Sequence, residues 1–150
     1  MTLLIDIGNS RTKYIVADLI YSNKSRVVDN YCIDINWLND NFRLADKILI
    51  SCVSTDEILN IIINWANIKA IEVKVIQSEA RRYGLVSLYQ QPGKLGVDRW
   101  LAMIGALSLY SDKNILIVDA GTATTIDLVS ASGQHHGGGI LPGINLLIDS

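Results

Sequence analysis

A strand–turn–strand pattern occurs twice in this 150-residue sequence, and this repeat is the feature that most constrains the fold. The two segments are "LLIDIGNSRTKYIV", residues 3–16, and "LIVDAGTATTIDLV", residues 116–129. In each, an apolar run leads to Asp, one further residue and Gly, and a hydroxyl-rich turn precedes a second apolar run. The repeat predicts two related β-hairpins, each at the start of its own lobe.

Short β runs and helical patterns alternate along the rest of the chain. Three β runs predict an antiparallel meander over 2–6, 12–18 and 26–33. Later segments predict helix 35–46, strand 47–53, helix 55–68, strand 71–76, helix 97–110 and strands 114–120 and 124–131. This order predicts an α/β protein with a mixed sheet, in which a first domain covers 1–113 and a new lobe begins within 114–150.

Composition excludes some classes of partner. The formal net charge of -2 and the pI near 5.6 provide no basic field for nucleic acid. No apolar run reaches the roughly 18 residues that a membrane span needs. The sequence opens directly on "LLIDIGNS" without a basic, apolar leader, so we expect a cytoplasmic protein.

Each Asp-x-Gly turn has a conformational and a chemical interpretation. Asp and Gly are common in turns because Gly adopts positive φ angles easily, so one copy alone indicates only a turn. Such a turn also lets backbone amides and hydroxyls approach phosphate oxygens, the hydroxyls here being those of Ser10, Thr12, Thr122, Thr124 and Thr125. An Asp at a strand end is a hard ligand for Mg²⁺. Since no GxxxxGK[ST] or GxGxxG pattern occurs, the two turns predict a nucleotide phosphate clamp of a non-Walker kind.

Several other polar residues have two interpretations. Asp98 either stabilises the start of a helix or accepts the proton of an attacking alcohol. Arg99 either binds a substrate carboxylate or forms an i,i+3 or surface ion pair, and Arg11 and Lys13 either bind phosphate or stay solvated. A polar hairpin tip is favoured over a metal site for "HH" at 135–136, because no third ligand has a recognisable spacing. The segment "GGGILPG" either brings backbone close to a ligand or forms a tight hairpin exit.

Four motifs in order connect the sequence to a known family. The paired "DIGNS" and "DAGTATT" turns resemble those of the acetate and sugar kinase, Hsp70 and actin superfamily. Together with "YQQPGKLGVDRW" and "GGGILPG", they resemble the type III pantothenate kinases, also known as Bvg accessory factors, over residues 3–143. The resemblance implies a ribonuclease H-like mixed-sheet lobe of order βββαβα, followed by the beginning of a second, related lobe, as in actin-like ATPase folds.

The resemblance also implies an activity and a site. The activity is ATP-dependent phosphorylation of pantothenate to 4'-phosphopantothenate, the first step of coenzyme A biosynthesis. ATP would bind Asp6, Ile7, Gly8, Asn9, Ser10, Arg11, Thr12, Lys13 and Thr122. Asp6 would serve Mg²⁺, and Asp119 would hold a monovalent cation, K⁺ or ammonium. Pantothenate would bind Tyr89, Gly96, Val97, Asp98 and Arg99, with Asp98 as the proton acceptor.

Two departures from the family pattern are visible. Gln91 stands where the family usually has Asn before the proline, although the spacing from Tyr89 to Asp98 is kept. Family chains continue past residue 150, so we expect an incomplete second lobe, with a helix beginning in 144–150. A full-length protein is expected to be a homodimer.

Two other functions remain open at this stage. A non-catalytic, nucleotide-binding regulatory relative would keep the two turns without turnover. A sugar or polyphosphate phosphotransferase of the same superfamily would use the same clamp on another substrate. The "GVDR" segment after Tyr89 favours pantothenate over other phosphoryl acceptors.

Overall fold

A computed structural model describes residues 1–22 and 24–143. The chain divides into two compact units, Met1–Gln77 (unit 1) and Ser78–Ser150 (unit 2). The helix predicted within 144–150 lies outside the described residues. The lobe boundary predicted between residues 113 and 114 stays a prediction.

Unit 1 is built on a mixed five-stranded sheet, as the sequence predicted. The elements are β1 Thr2–Ile7, β2 Arg11–Val16, β3 Arg26–Asp29, α1 Ile35–Phe42, β4 Lys47–Cys52, α2 Asp56–Ile68 and β5 Glu72–Val75. The strand order is β3-β2-β1-β4-β5. The first three strands form the predicted antiparallel meander, and β4 and β5 run parallel to β1 because helical segments connect them.

One face of this sheet forms the core of unit 1. Alternate residues of β1 and β4 are buried there and pack with the apolar faces of α1 and α2. The predicted apolar face of α2 is confirmed, with Ile62 and Trp65 buried and Ile58 and Ile61 packed against the core. Because side chains alternate along a strand, this arrangement directs Asp6 to the opposite face.

The third strand ends four residues earlier than predicted. It stops at Asp29, and Asn30–Cys32 forms a 3₁₀ turn instead of continuing to residue 33. The physical reason is the side chain of Asn30, which hydrogen-bonds to backbone carbonyls of the first Asp-x-Gly turn. Such side-chain bonds offer the backbone an alternative to the sheet ladder.

Over residues 78–143, unit 2 combines one helix with two small antiparallel sheets. The elements are β6 Arg81–Arg82, β7 Leu85–Val86, α3 Val97–Leu109, β8 Ile115–Ala120, β9 Ala123–Val129 and β10 His135–Pro142. Strands β6 and β7 form a short hairpin, and a 3₁₀ turn at Pro92–Lys94 precedes α3. The three-stranded sheet has the order β10-β9-β8 and contacts α3.

The segment "GGGILPG" is a strand rather than a tight hairpin exit. It lies in β10 and pairs with β9, with a register irregularity at Gly137, whose φ is 109°. A Cβ on Gly138 would lie 2.0 Å from the carbonyl oxygen of Ile126, so only glycine fits this close approach.

Helix α3 buries one side, and apolar residues on its other side stay at the surface, among them Leu109, which is 72% exposed. None of the helices within 1–22 and 24–143 has the length and apolar character to span a bilayer.

The core of unit 1 yields a stability prediction. Leu38→Ala should lower the free energy of unfolding by about 2–5 kcal/mol, because Leu38 has no exposed surface and its loss leaves a cavity. Urea denaturation of the purified protein measures this change. The matched control is Leu44→Ala, at a position that is 70% exposed, for which we expect no resolvable change. Equal effects of the two substitutions would contradict the packing of α1 described above.

Candidate functional site

The first Asp-x-Gly turn connects β1 to β2. The amide of Gly8 donates to the carbonyl oxygen of Arg11 at 3.0 Å, which leaves Asn9 and Ser10 exposed at the tip. A Cβ on Gly8 would lie 3.1 Å from that same carbonyl oxygen, a tighter contact than most side chains make. The turn therefore leaves little room for a side chain at Gly8 and presents its tip to solvent.

Asn30 braces this turn, a role that the sequence analysis missed. Its side-chain amide donates to the carbonyl oxygens of Gly8 at 2.8 Å and Asn9 at 3.3 Å, and its backbone amide donates to Ser10 O at 3.0 Å. The hydroxyl of Thr12, interpreted above as a phosphate donor, is instead fully buried and donates to Asn30 Oδ1 at 2.8 Å. Hydrogen bonds from Asn30, the residue directly after β3, thus fix the conformation of the turn.

Asp6 is held by a neighbouring strand. It lies beside Ser51 in the parallel register of β1 and β4, and beside Lys13 in the antiparallel register of β1 and β2. The Ser51 hydroxyl donates to Asp6 Oδ1 at 2.6 Å. Ser51 is only 6% exposed, whereas Asp6 is half-buried and Lys13 is exposed. The hydroxyl of Ser51 thus occupies one carboxylate oxygen of Asp6. The other carboxylate oxygen is a hard ligand next to the turn, of the kind that suits Mg²⁺.

The second Asp-x-Gly turn, between β8 and β9, is one residue shorter. Here the amide of Gly121 donates to Ala123 O at 2.9 Å, and Asp119 and Thr122 are exposed. Gly143 closes against the turn, with its amide 3.2 Å from Thr122 O, and a Cβ at this position would lie 2.4 Å from that oxygen. The exposed carboxylate of Asp119 is a hard ligand that a monovalent cation could share with bound phosphate.

Within residues 1–22 and 24–143 no group of three or more His, Cys, Asp or Glu side chains is arranged to hold a metal. Each predicted cation position therefore offers a single carboxylate. Mg²⁺ normally binds proteins through one or two carboxylates and completes its shell with waters and substrate phosphates. The donor set fits an ion that arrives with a nucleotide.

Helix α3 begins at the "GVDR" segment. Gly96 is the residue at the helix N-cap, Val97 is buried, and Asp98 lies in the first turn. The carboxylate of Asp98 accepts from the amide of Arg99 at 2.8 Å, and a Cβ on Gly96 would lie 2.6 Å from the same oxygen. Gly96 thus makes room for Asp98 near the positive end of the helix dipole. The half-buried carboxylate remains compatible with both interpretations of Asp98.

Arg99 forms a buried ion pair. Its Nε and Nη2 atoms donate to the two carboxylate oxygens of Asp127 at 2.8 and 2.6 Å, and the two residues are only 6% and 2% exposed. Hydrogen bonding to Asp127 raises the pKa of the Arg99 guanidinium further above its usual range, so this side chain is charged at every pH of interest. Arg99 does form an ion pair, but the pair is buried and joins residues 28 positions apart, so the predicted i,i+3 or surface pair is wrong. The interpretation of Arg99 as a carboxylate ligand stays a prediction.

His135 and Tyr89 extend this pair. The Nε2 atom of His135 lies 2.9 Å from Asp127 Oδ1, and the Tyr89 ring stacks on the imidazole with centroids 6.1 Å apart and planes inclined by 7°. The Tyr89 hydroxyl lies 3.5 Å from Arg99 Nη1. The prediction of a polar hairpin tip is therefore wrong for His135, which is fully buried, whereas His136 is exposed.

The network brings together two residues of the predicted pantothenate pocket, Tyr89 and Arg99, and adds Asp127 and His135. Asp127 was not among the predicted site residues, although the sequence carries a signal for it. Asp127 interrupts an apolar run at a position whose neighbours two residues away, Thr125 and Val129, share its face of β9. An acidic residue at such a position requires a partner, and Arg99 is that partner.

The fold and its two turns define a mixed α/β protein with aspartates placed beside glycine turns of the kind that bind phosphate. A family model described as type III pantothenate kinase matches residues 2–150. The chain belongs to the type III pantothenate kinase family.

Curated relatives agree with this assignment. The chain is 41% identical over 150 residues to a type III pantothenate kinase of Colwellia psychrerythraea, with 100% of the chain and 60% of the relative covered. It is 38% identical to one of Pseudoalteromonas translucida, with 100% and 60% covered, and 36% identical to one of Dechloromonas aromatica, with 100% and 63% covered. The chain thus spans 60–63% of the length of these relatives.

The buried pair in unit 2 yields a second stability prediction. Asp127→Asn should lower the free energy of unfolding by about 3–5 kcal/mol, because it leaves the buried Arg99 guanidinium without its counter-charge. Denaturation with urea measures the loss. Glu79→Gln, which breaks the exposed pair of Glu79 with Arg82, is the control and should have no resolvable effect. An unchanged midpoint for Asp127→Asn would show that water, not Asp127, satisfies Arg99.

Proposed function

We propose that this protein phosphorylates pantothenate with ATP to give 4'-phosphopantothenate, the first step of coenzyme A biosynthesis. The family match over residues 2–150 is the observation that carries the proposal. The geometry of the two units supports it, since each turn combines an aspartate with a glycine suited to phosphate. Cytoplasmic location and a homodimeric full-length enzyme are parts of the same proposal.

In this proposal the first turn binds the phosphates of ATP. The residues Asp6, Ile7, Gly8, Asn9, Ser10, Arg11 and Lys13 form that segment with Thr122 from the second turn, whereas the buried Thr12 hydroxyl acts through Asn30. Asp6 would hold Mg²⁺ and Asp119 would hold K⁺ or ammonium. When bound, these cations offset the negative charge that phosphoryl transfer concentrates on the phosphate oxygens. The brace by Asn30 keeps the turn in one conformation before ATP arrives.

The start of α3 and Tyr89 would bind pantothenate. The buried Arg99 retains hydrogen-bond donors beyond the two used by Asp127, and a planar guanidinium suits the substrate carboxylate. Gly96 and Val97 would line the pocket. Asp98 would accept the proton of the attacking primary alcohol, as an aspartate does in the protein kinases.

The fold part of the proposal is a ribonuclease H-like lobe over 1–113 and the start of a related lobe over 114–150. The order β3-β2-β1-β4-β5 with α1 and α2 supports the first lobe. The order β10-β9-β8 repeats the β3-β2-β1 meander and supports the relation between the lobes. In both meanders the Asp-x-Gly turn joins the first strand to the second.

Pantothenate-dependent formation of ADP from ATP tests the proposal on the full-length protein. Turnover that depends strictly on pantothenate is expected. ATP binding without turnover would support a regulatory relative instead, and turnover with a sugar or polyphosphate would support another phosphotransferase.

Asp98→Asn should lower kcat by about 10²-fold, near the lower end for loss of a general base, because proton transfer is late in a loose phosphoryl-transfer transition state. Full activity of the variant would remove Asp98 from this role.

The two aspartates should produce different phenotypes. Asp6→Asn should weaken binding of Mg²⁺-ATP because it removes an anionic ligand beside the triphosphate. Asp119→Asn should mainly abolish the stimulation of activity by K⁺ or ammonium. Rates measured at fixed Mg²⁺ with K⁺, ammonium or Na⁺ separate the two effects. An Asp119 variant that responds to K⁺ as the parent does would locate the cation elsewhere.

A further inference from the structure

Ser51 is a buried polar residue that the proposed chemistry does not yet use. It is the hydroxyl-bearing residue in the otherwise apolar stretch Ile48–Ser51 of β4. Strand β4 alternates between buried and half-buried positions up to Ile50, but Ser51 is then buried as well, so two successive side chains on opposite faces are hidden. A buried hydroxyl requires a hydrogen-bond acceptor.

That acceptor is Asp6. The 2.6 Å separation of Ser51 Oγ and Asp6 Oδ1 falls in the range of about 2.5–2.7 Å for a hydroxyl donating to a charged oxygen. The two residues are register partners in the parallel pairing of β1 and β4, so the backbone of both is set by the sheet. Serine has a single rotatable bond before its hydroxyl, and little conformational entropy opposes the contact.

The hydrogen bond restricts the Asp6 carboxylate. With Oδ1 engaged by Ser51, rotation about the last side-chain bond is limited, and Oδ2 has no side-chain hydrogen bond among the residues that the structure describes. In metal sites, groups that hydrogen-bond to a ligating carboxylate orient it, and their loss typically costs about 10–100-fold in metal affinity or activity.

We propose that Ser51 is a positioning residue that orients the carboxylate of Asp6 for the Mg²⁺ that accompanies ATP. This inference rests on the proposed function, in which Asp6 serves Mg²⁺. Ser51 contacts neither nucleotide nor pantothenate in this arrangement and acts through Asp6 alone. Its effect should therefore be confined to metal-dependent nucleotide binding.

Isothermal titration of the full-length protein with ATP, in Mg²⁺ and in EDTA, tests the inference without measuring activity. Ser51→Ala should weaken Mg²⁺-ATP binding about 10-fold or more and leave metal-free ATP binding within about twofold of the parent. The KM for pantothenate should also stay within about twofold. Ser51→Thr, which keeps the hydroxyl, should bind Mg²⁺-ATP nearly as the parent does, whereas the equally bulky Ser51→Val should resemble Ser51→Ala.

Two further variants separate orientation of Asp6 from general weakening of unit 1. Trp65→Phe removes the hydrogen bond from Trp65 to Asn39 in the same unit and should leave Mg²⁺-ATP affinity unchanged. In an Asp6→Asn background, Ser51→Ala should cause no additional loss, since the group that it orients is absent. If Ser51→Ala is poorly folded, the comparison of the Thr and Val variants decides the question.

The outcomes distinguish this inference from the proposed function. Parent-like Mg²⁺-ATP affinity in Ser51→Ala or in Ser51→Val, with a clear loss in Asp6→Asn, would overturn the positioning role alone. Parent-like affinity in Asp6→Asn would overturn the magnesium role of Asp6 and the positioning role with it. Equal losses in Mg²⁺ and in EDTA would show that Ser51 supports folding rather than the metal ligand, and would also overturn the inference.

Discussion

A polar group that is removed from water must find a partner inside the protein, and in this chain that requirement organises the residues beside the first turn and at the start of α3. In unit 1, Ser51 meets Asp6 and Thr12 meets Asn30. In unit 2, Asp127 receives Arg99. Each bond joins residues 18 to 45 positions apart, so it forms only when strands or helices are correctly paired. The polar partners thereby select one arrangement among those that apolar burial alone would allow.

Glycines make these contacts sterically feasible. Gly8 and Gly143 stand where a Cβ would press on turn carbonyls, and Gly96 and Gly138 stand where it would press on Asp98 and on the pair of Arg99 and Asp127. Glycine in a strand weakens the strand and usually marks a close approach of backbone or ligand. In β10, Gly138 leaves room for the buried ion pair of Arg99 and Asp127. At Gly96 and Gly138 these close approaches keep the backbone near the charged side chains of Asp98, Arg99 and Asp127.

Most elements of both units followed from local sequence patterns, and the exceptions have identifiable causes. The spacing of Ile58 to Trp65 predicted α2 correctly because one helix face is buried against the sheet. The third strand was predicted too long because its end depends on Asn30, whose partners lie more than twenty residues earlier. The strand conformation of "GGGILPG" and the burial of His135 depend on the pairing of β10 with β9, which local sequence patterns do not specify. Asn30, Ser51 and Asp127 were missed for the same reason.

The α/β class, the two Asp-x-Gly turns and the family follow from residue order and from periodicity along the chain. Which polar side chains support the candidate site depends instead on how the strands and α3 pack. The Asp6 carboxylate is near Ser51 because β1 and β4 pair in parallel with that register. Arg99 meets Asp127 because α3 packs on the sheet of unit 2. A hydrogen bond depends on distance and burial, and both are properties of the folded chain that residue order specifies only through the packing of every other side chain.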